Sequence, residues 1–468
     1  MQERWQNQEE AVQFALSHPA CMLDMEMGTG KTRSALDTVF EREDVHRILI
    51  VCPKAVIPVW RENLDKFHKW DMWQCWDLQK GTIKKKAENL ESWMRSFGDL
   101  EHFGKLFVVV NYDIVWKQDM GAYLYTRTQF DMIILDESHR AKAAGTKVSK
   151  YLAMIGKRAK YRMCLSGTPM ANSPLDVYGQ YRFLDPSIFG TSYARFQDQY
   201  AIMGGPERRF VVGFKNQQTL NEKFRSIAYT CKMDDIKDRL KLPDALPPIT
   251  RYVNLPARDM KTAKDLGKEF IAECGSGNVV VNNALVKILR LQQISSGFCL
   301  TQEDPFSDAK SEELNTAKRD GLLDILSDMS PLASLVVFAV FRHDIGVIIE
   351  SARKSKREVF ELSGQKNELE EWKKADPGAV IVVQIQSGAE GVDLTKANHA
   401  IYYSLPHSLA LYNQSKARLY RPGQTRPVSF IHLLAEDTID ESMYESLIRK
   451  KDVIEAIKDG SFNYGYMK

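Results

Sequence analysis

Short, fully apolar runs punctuate this chain, and stretches of helical length separate them. Residues 20–23 (Ala-Cys-Met-Leu), 48–51 (Ile-Leu-Ile-Val), 108–110 (Val-Val-Val) and 132–135 (Met-Ile-Ile-Leu) are continuous rather than alternating. Such runs read as strands buried on both faces. Alternating with helices, they predict an α/β lobe over residues 1–185, a parallel sheet covered by helices. Residues 335–341 (Leu-Val-Val-Phe-Ala-Val-Phe) belong to a second lobe that runs from about 313 and ends in a helix over 440–451. Residues 186–245 are aromatic-rich and read as a helical insertion of the first lobe plus a linker. Residues 246–312 read as a helical insertion of the second lobe, with Leu285, Ile288, Leu289 and Leu291 on one partly apolar face. The proline-rich stretch 242–248 marks the break between the halves, and 313–468 is the second lobe.

The chemistry sits where the apolar runs end. The first run leads into Met25-Glu26-Met27-Gly28-Thr29-Gly30-Lys31-Thr32 and then a helical stretch. Glycines let backbone N–H groups close around phosphate oxygens, and a helix N-terminus adds partial positive charge. Lys31 reaches the β- and γ-phosphates in such a loop, and the Thr32 hydroxyl ligates Mg²⁺. Met25 stands where the consensus has its first glycine. The run 132–135 ends in Asp136-Glu137. At the carboxyl end of a strand, where open α/β sheets bind ligands, Asp136 can hold Mg²⁺ and Glu137 can polarise water. Together these motifs predict a site for ATP and Mg²⁺.

Residues around both motifs resemble the Swi/Snf-type branch of the superfamily 2 helicases, the double-stranded-DNA translocases and remodellers. Asp136-Glu-Ser-His139-Arg-Ala-Lys142 is similar to that branch's Asp-Glu-x-His with a basic trailing segment. Leu165-Ser166-Gly167-Thr168-Pro169-Met-Ala-Asn172 resembles its third motif, and Gln414-x₃-Arg418-x₂-Arg421-Pro-Gly-Gln424 its sixth. The resemblance covers nearly the whole chain in order and implies two tandem RecA-like lobes with helical insertions in each. It also accounts for Met25, because the branch commonly reads Asp-Glu-Met-Gly-x-Gly-Lys-Thr.

By that resemblance, Met27 to Thr32 and Gln414 contact nucleotide, and His139, Ser166 and Thr168 couple hydrolysis to motion. Gln8 matches the glutamine that reads the adenine edge, with Gln6 the alternative. Gln414, Arg418 and Arg421 fall at i, i+4 and i+7, which predicts one helix face ended by Pro422-Gly423. The two arginines would join Lys31, Asp136 and Glu137 as catalytic groups, supplied by the second lobe on closure. Lys54, Asn111 and Gly388 are the expected DNA-backbone contacts. Ala389-Glu390 and Tyr403-Ser404-Leu405-Pro406 depart from the branch's usual residues, as expected of a divergent, viral or mobile-element member.

Composition narrows the partners only a little. The net charge of +3 is too small to establish nucleic-acid binding without a local basic cleft. Seven dispersed cysteines without a Cys-x-x-Cys pair predict reduced thiols and no zinc site. The chain starts without signal-peptide features, and no apolar run approaches membrane-spanning length. The expectation is a cytoplasmic, monomeric motor (host cytoplasm if viral) with duplex DNA as partner, its target chosen by a partner protein, by DNA structure or by the insertions. Lys84-Lys85-Lys86 reads as a solvated face, and Trp70, Trp73 and Trp76 as a helix face. The competing functions are a strand-separating DNA or RNA helicase and an ATP-switched DNA tether.

Overall fold

The computed structural model describes residues 3–69, 71–77, 81–96, 104–170, 173–204, 210–264, 280–301, 310–388 and 392–448. The chain divides into two compact units, one essentially residues 1–239 and the other 240–452. The break falls just before the proline-rich stretch.

The first unit is built on seven parallel strands. In chain order they are β1 (Ala20–Met25), β2 (Arg47–Cys52), β3 (Trp73–Asp77), β4 (Lys105–Asn111), β5 (Met132–Asp136) and β6 (Tyr161–Ser166). An antiparallel hairpin, β7 (Ala201–Gly204) and β8 (Phe210–Phe214), stands apart, and β9 (Ala228–Cys231) returns to the sheet. The spatial order is β3-β4-β2-β5-β6-β1-β9. All residues of β1, β4 and β5 are buried, as their apolar runs require. Three helices frame the site: α1 (Gln6–Ser17), α2 (Lys31–Glu41) and α3 (Ile57–Phe67). Pro58 sits in the first turn of α3, where its missing N–H costs nothing.

The second unit has six parallel strands: β10 (Ile249–Val253), β13 (Leu335–Ala339), β14 (Val359–Leu362), β15 (Val380–Gln384), β16 (His399–Tyr402) and β17 (Ser429–Ala435). Their order is β10-β17-β16-β13-β15-β14, beside a separate hairpin of β11 (Phe298–Thr301) and β12 (Lys310–Glu313). Leu322, Leu326, Val337, Ile348, Val382, Ile401 and Leu433 belong to the core between this sheet and its helices. Among the described residues, no helix is long and apolar enough to cross a membrane.

Three readings of the sequence change here. Residues 186–245 are not only helical, because β9 forms the seventh strand by pairing with β1. Likewise β10 pairs with β17, so the second sheet gains a strand from the stretch read as a helical insertion. Trp73 and Trp76 lie on β3 rather than a helix, since pairing with β4 outweighs their spacing. Trp70, Cys274, Asn172, residues 389–391 and the chain after 448 lie outside the described residues. The lysine run does form a solvated face, with Lys84 and Lys85 exposed on the helix Ile83–Ser96.

A buried polar node ties the second unit together at 403–406. Ser404 Oγ donates to Asp344 Oδ2 at 2.7 Å, and Val340 N donates to Ser404 Oγ. Gln292 Nε2 donates to the Leu405 carbonyl, while Lys318 Nζ meets both the Tyr403 carbonyl and Asp440. Asp344 is fully buried, and burial pushes its carboxyl up to about 7, although Ser404 and Lys318 oppose the rise. The folded state therefore holds this proton while the unfolded chain releases it at ordinary carboxylate pH. Stability from this group is complete below about 4 and is lost as pH climbs through about 7. Asp344→Asn keeps an acceptor for Ser404 and cannot ionise. The variant should be more stable than the parent at pH 8 by the order of 2 kcal/mol, with the gap shrinking towards pH 5 in urea titrations.

Candidate active site

Strand register alone assembles the first half of the site. β1 lies beside β6 with Asp24 opposite Ser166, and β5 lies beside β6 with Asp136 opposite Leu165. Three consecutive carboxyl ends in the order β5, β6, β1 thus present Asp136-Glu137, Ser166-Gly167 and the phosphate loop side by side. The loop turns on Gly28 and Gly30, with φ of 83° and 95°, values that favour glycine. At Gly30 a side chain is also excluded by space, because a Cβ would stand 2.1 Å from Gln8 Nε2. Gln8 is buried against the loop and accepts the Trp5 N–H through Oε1. Gln6 instead pairs with Glu10 in solvent, which settles which glutamine faces the loop. Asn7, not singled out from sequence, donates from Nδ2 to the Thr29 carbonyl at 2.8 Å. Thr29 Oγ1 closes the turn by donating to the Glu26 carbonyl. Met27 and Thr32 are half-buried at the two ends of the loop.

Lys31 is buried and donates to the Met25 carbonyl at 2.6 Å. Burial lowers its pKa, against the attraction of Glu137 and Asp136. Asp136 shifts the other way, raised by burial first and then by the neighbouring Glu137 charge. Two donors hold its carboxylate: Trp60 Nε1 reaches Oδ2 at 3.0 Å and Glu137 N reaches Oδ1 at 3.0 Å. Tyr112 Oη donates to the Asp136 carbonyl at 2.8 Å. Glu137 has φ of 50°, in the left-handed region where a non-glycine residue is strained and which is often found at working sites. His139 Nδ1 lies 3.3 Å from Glu137 Oε2.

Motif III joins through short contacts. A Cβ on Gly167 would stand 3.2 Å from the Met25 carbonyl, a tight contact that marks how closely β6 leaves the sheet beside the phosphate loop. Ser166 Oγ accepts the Thr168 N–H and is buried. A hydrogen-bonded link to motif II runs through Ser138. Ser138 Oγ donates to Gln180 Oε1 at 2.7 Å, and Gln180 Nε2 donates to the Pro169 carbonyl at 2.7 Å. Gln180 lies on the helix Val177–Leu184, 42 residues from Ser138, and no local pattern marks it.

The expected DNA contacts separate. Lys54 is exposed at the start of a short helical turn after β2. Asn111 is buried, and its Oδ1 accepts the Ile114 N–H. Gly388 ends a helical turn, Ile385–Gly388, after β15.

The sixth motif, in the second unit, is not one helix face. The helix Leu409–Lys416 stops before both arginines. Ser415 Oγ turns back to the Tyr412 carbonyl and contacts Tyr402 Oη, and Leu394 N bonds the Arg418 carbonyl. Buried Gln424 then captures the Leu419 and Ala397 carbonyls through Nε2, holding the turn. Arg418 and Arg421 are half-buried on this turn, and Arg421 Nη1 donates to the Val392 carbonyl. Gln414 is buried in the helix.

The residues fit a nucleotide with Mg²⁺. Among the described residues there is no cluster of three metal-ligating side chains. Mg²⁺ usually takes one or two carboxylates and completes its shell with phosphates and water. Each Asp136 oxygen accepts one donor, so lone pairs remain for an ion. Burial first and the Glu137 charge second raise the Asp136 pKa, and a bound cation would oppose both effects.

Comparison with known proteins places these motifs in a family. The SNF2-related domain matches residues 1–296, and the helicase conserved C-terminal domain matches 317–423. The chain is 22% identical to a DNA repair and recombination protein RAD54-like of Drosophila erecta, over 94% of this chain and 60% of that protein. It is 23% identical to the DNA annealing helicase and endonuclease ZRANB3 of Mus musculus, over 98% and 42%. An uncharacterized ATP-dependent helicase of Mycoplasma pneumoniae is 24% identical, over 92% and 39%. The chain thus spans between 39% and 60% of the length of these relatives. A structure of the Sulfolobus solfataricus SWI2/SNF2 ATPase core in complex with dsDNA is similar at 21% identity, covering 97% of this chain and 93% of that one, with a TM-score of 0.44. The N-terminal domain match takes in well over half of the residues and ends beyond the whole first sheet, and on that ground the chain belongs to the SNF2-related domain family.

Proposed function

We propose that this chain is a DNA-dependent ATPase that translocates on duplex DNA and remodels or displaces what is bound there. One observation carries the ATPase part: three neighbouring strand ends hold Lys31, Ser166-Gly167 and the Asp136-Glu137 pair in a single buried site. Support for DNA comes from the family and from relatives named for DNA repair and DNA annealing.

In this reading the loop from Met27 to Thr32 binds the phosphates through its N–H groups, and Lys31 moves its ammonium from the Met25 carbonyl to the β- and γ-phosphates. Asp136 and Thr32 hold Mg²⁺, which when bound neutralises charge developing on the phosphates. Glu137 orients the attacking water, with His139 beside its carboxylate. Gln8 and Gln414 contribute to nucleotide binding. Arg418 and Arg421 supply guanidinium charge to the γ-phosphate. Ser138, Gln180 and Pro169 pass rearrangement at Glu137 to motif III, and Lys54 meets the DNA backbone. The chain acts as a monomeric cytoplasmic motor whose target is chosen by a partner protein, by DNA structure or by the insertions.

Hydrolysis measured side by side with duplex DNA, single-stranded DNA and RNA tests this, together with displacement of a triplex-forming strand. Duplex should stimulate most, with displacement but no strand separation; stimulation by RNA or single strands alone contradicts the reading. Glu137→Gln should bind ATP and lose hydrolysis by at least about 10²-fold, the usual scale for losing a positioned general base. Gln180→Leu strands the Ser138 hydroxyl and the Pro169 carbonyl. It should cost about 1–3 kcal/mol in urea unfolding and lower kcat more than it raises KM.

A further inference from the structure

Trp60 is fully buried on the second turn of α3, 76 residues before its partner, and its indole N–H points at Asp136 Oδ2. An indole is a donor only, so it can orient a carboxylate without competing with it for a cation. The three donors around Asp136 divide the work. Tyr112 holds the backbone carbonyl, the Glu137 N–H holds Oδ1, and the Trp60 indole N–H holds Oδ2. Groups that hydrogen-bond a metal ligand in this way commonly set metal affinity, by about 10–100-fold. The helix that carries Trp60 also starts directly after the turn bearing Lys54.

We propose that Trp60 is a positioning residue for magnesium: its N–H fixes the plane of the Asp136 carboxylate so that the remaining lone pairs face the ion. Removal of the N–H lets the carboxylate turn and weakens Mg²⁺ without touching the phosphate loop. The inference rests on Asp136 being the magnesium ligand, and the controls separate failure of one claim from failure of the other.

The experiment follows binding of a fluorescent ADP analogue to the full chain, with and without a Mg²⁺ titration, so no turnover is read. Trp60→Phe should leave Mg²⁺-free nucleotide affinity unchanged and raise the Mg²⁺ midpoint by about tenfold. Replacement of Trp60 by 3-benzothienylalanine, which keeps the bicyclic shape and loses the N–H, should raise the midpoint equally, and it covers the case of a poorly folding Phe variant. Leu64→Ala, a fully buried residue on the same helix, should lower the unfolding temperature and leave the midpoint in place. An unchanged midpoint in the benzothienyl protein, or an equal shift in Leu64→Ala, overturns the proposal. Asp136→Asn should abolish the Mg²⁺ effect; persistence of that effect overturns the ligand assignment itself.

Discussion

Opposite charge buried at the edge of a parallel sheet is the constraint on which the first unit depends. Lys31, Asp136 and Glu137 are all more than nine-tenths shielded from solvent. Desolvation works against every one of them, pulling the lysine pKa down and the aspartate pKa up. The groups can share that region only if each is held where its partners are, because an unpaired buried charge is costly. Strand order supplies the holding: β5, β6 and β1 are neighbours, so three loops far apart in sequence leave the sheet together. A nucleotide with Mg²⁺ would add phosphate charge for Lys31 and a cation for the acidic pair, offsetting the burial that works against both.

Much of the surrounding structure follows as support for that arrangement. Asn7 and Gln8 pin α1 onto the phosphate loop, Gly28 and Gly30 supply its left-handed turns, and Gly167 passes close to the Met25 carbonyl. Gln180 ties motif II to motif III by satisfying a hydroxyl and a carbonyl that would otherwise be buried unpaired. In the second unit the polar node at Asp344, Ser404, Lys318 and Asp440 plays a purely architectural part, fastening helices to strands behind the 403–406 turn.

What could be read from the sequence was what local pattern encodes. The runs before Met25 and Asp136 are continuous because those strands are buried on both faces, so strands and motifs were visible together. β9 and β10 were hidden because each has a single sheet neighbour, and Ala-Tyr-Thr-Cys and Ile-Thr-Arg-Tyr-Val are only partly apolar. The helix before Arg418 ends early for a non-local reason: Gln424 and the 392–394 segment bind the turn that spacing alone read as helix. Asn111 does end β4, and its side-chain oxygen there also accepts the Ile114 N–H, a bond that local pattern does not announce. Gln180 carried no signal, and nothing local tied Trp60 to Asp136, since the partners lie 42 and 76 residues away.

The central proposal is that hydrolysis needs guanidinium charge from Arg418 and Arg421 of the sixth motif. Nucleotide binding and single-turnover hydrolysis by Arg421→Ala, compared with the parent chain on duplex DNA, test it most directly. The account expects ATP affinity within several-fold of the parent and hydrolysis slowed by about 10³-fold or more, the usual worth of an arginine at the γ-phosphate. Hydrolysis at the parental rate, with ATP bound normally, would contradict it.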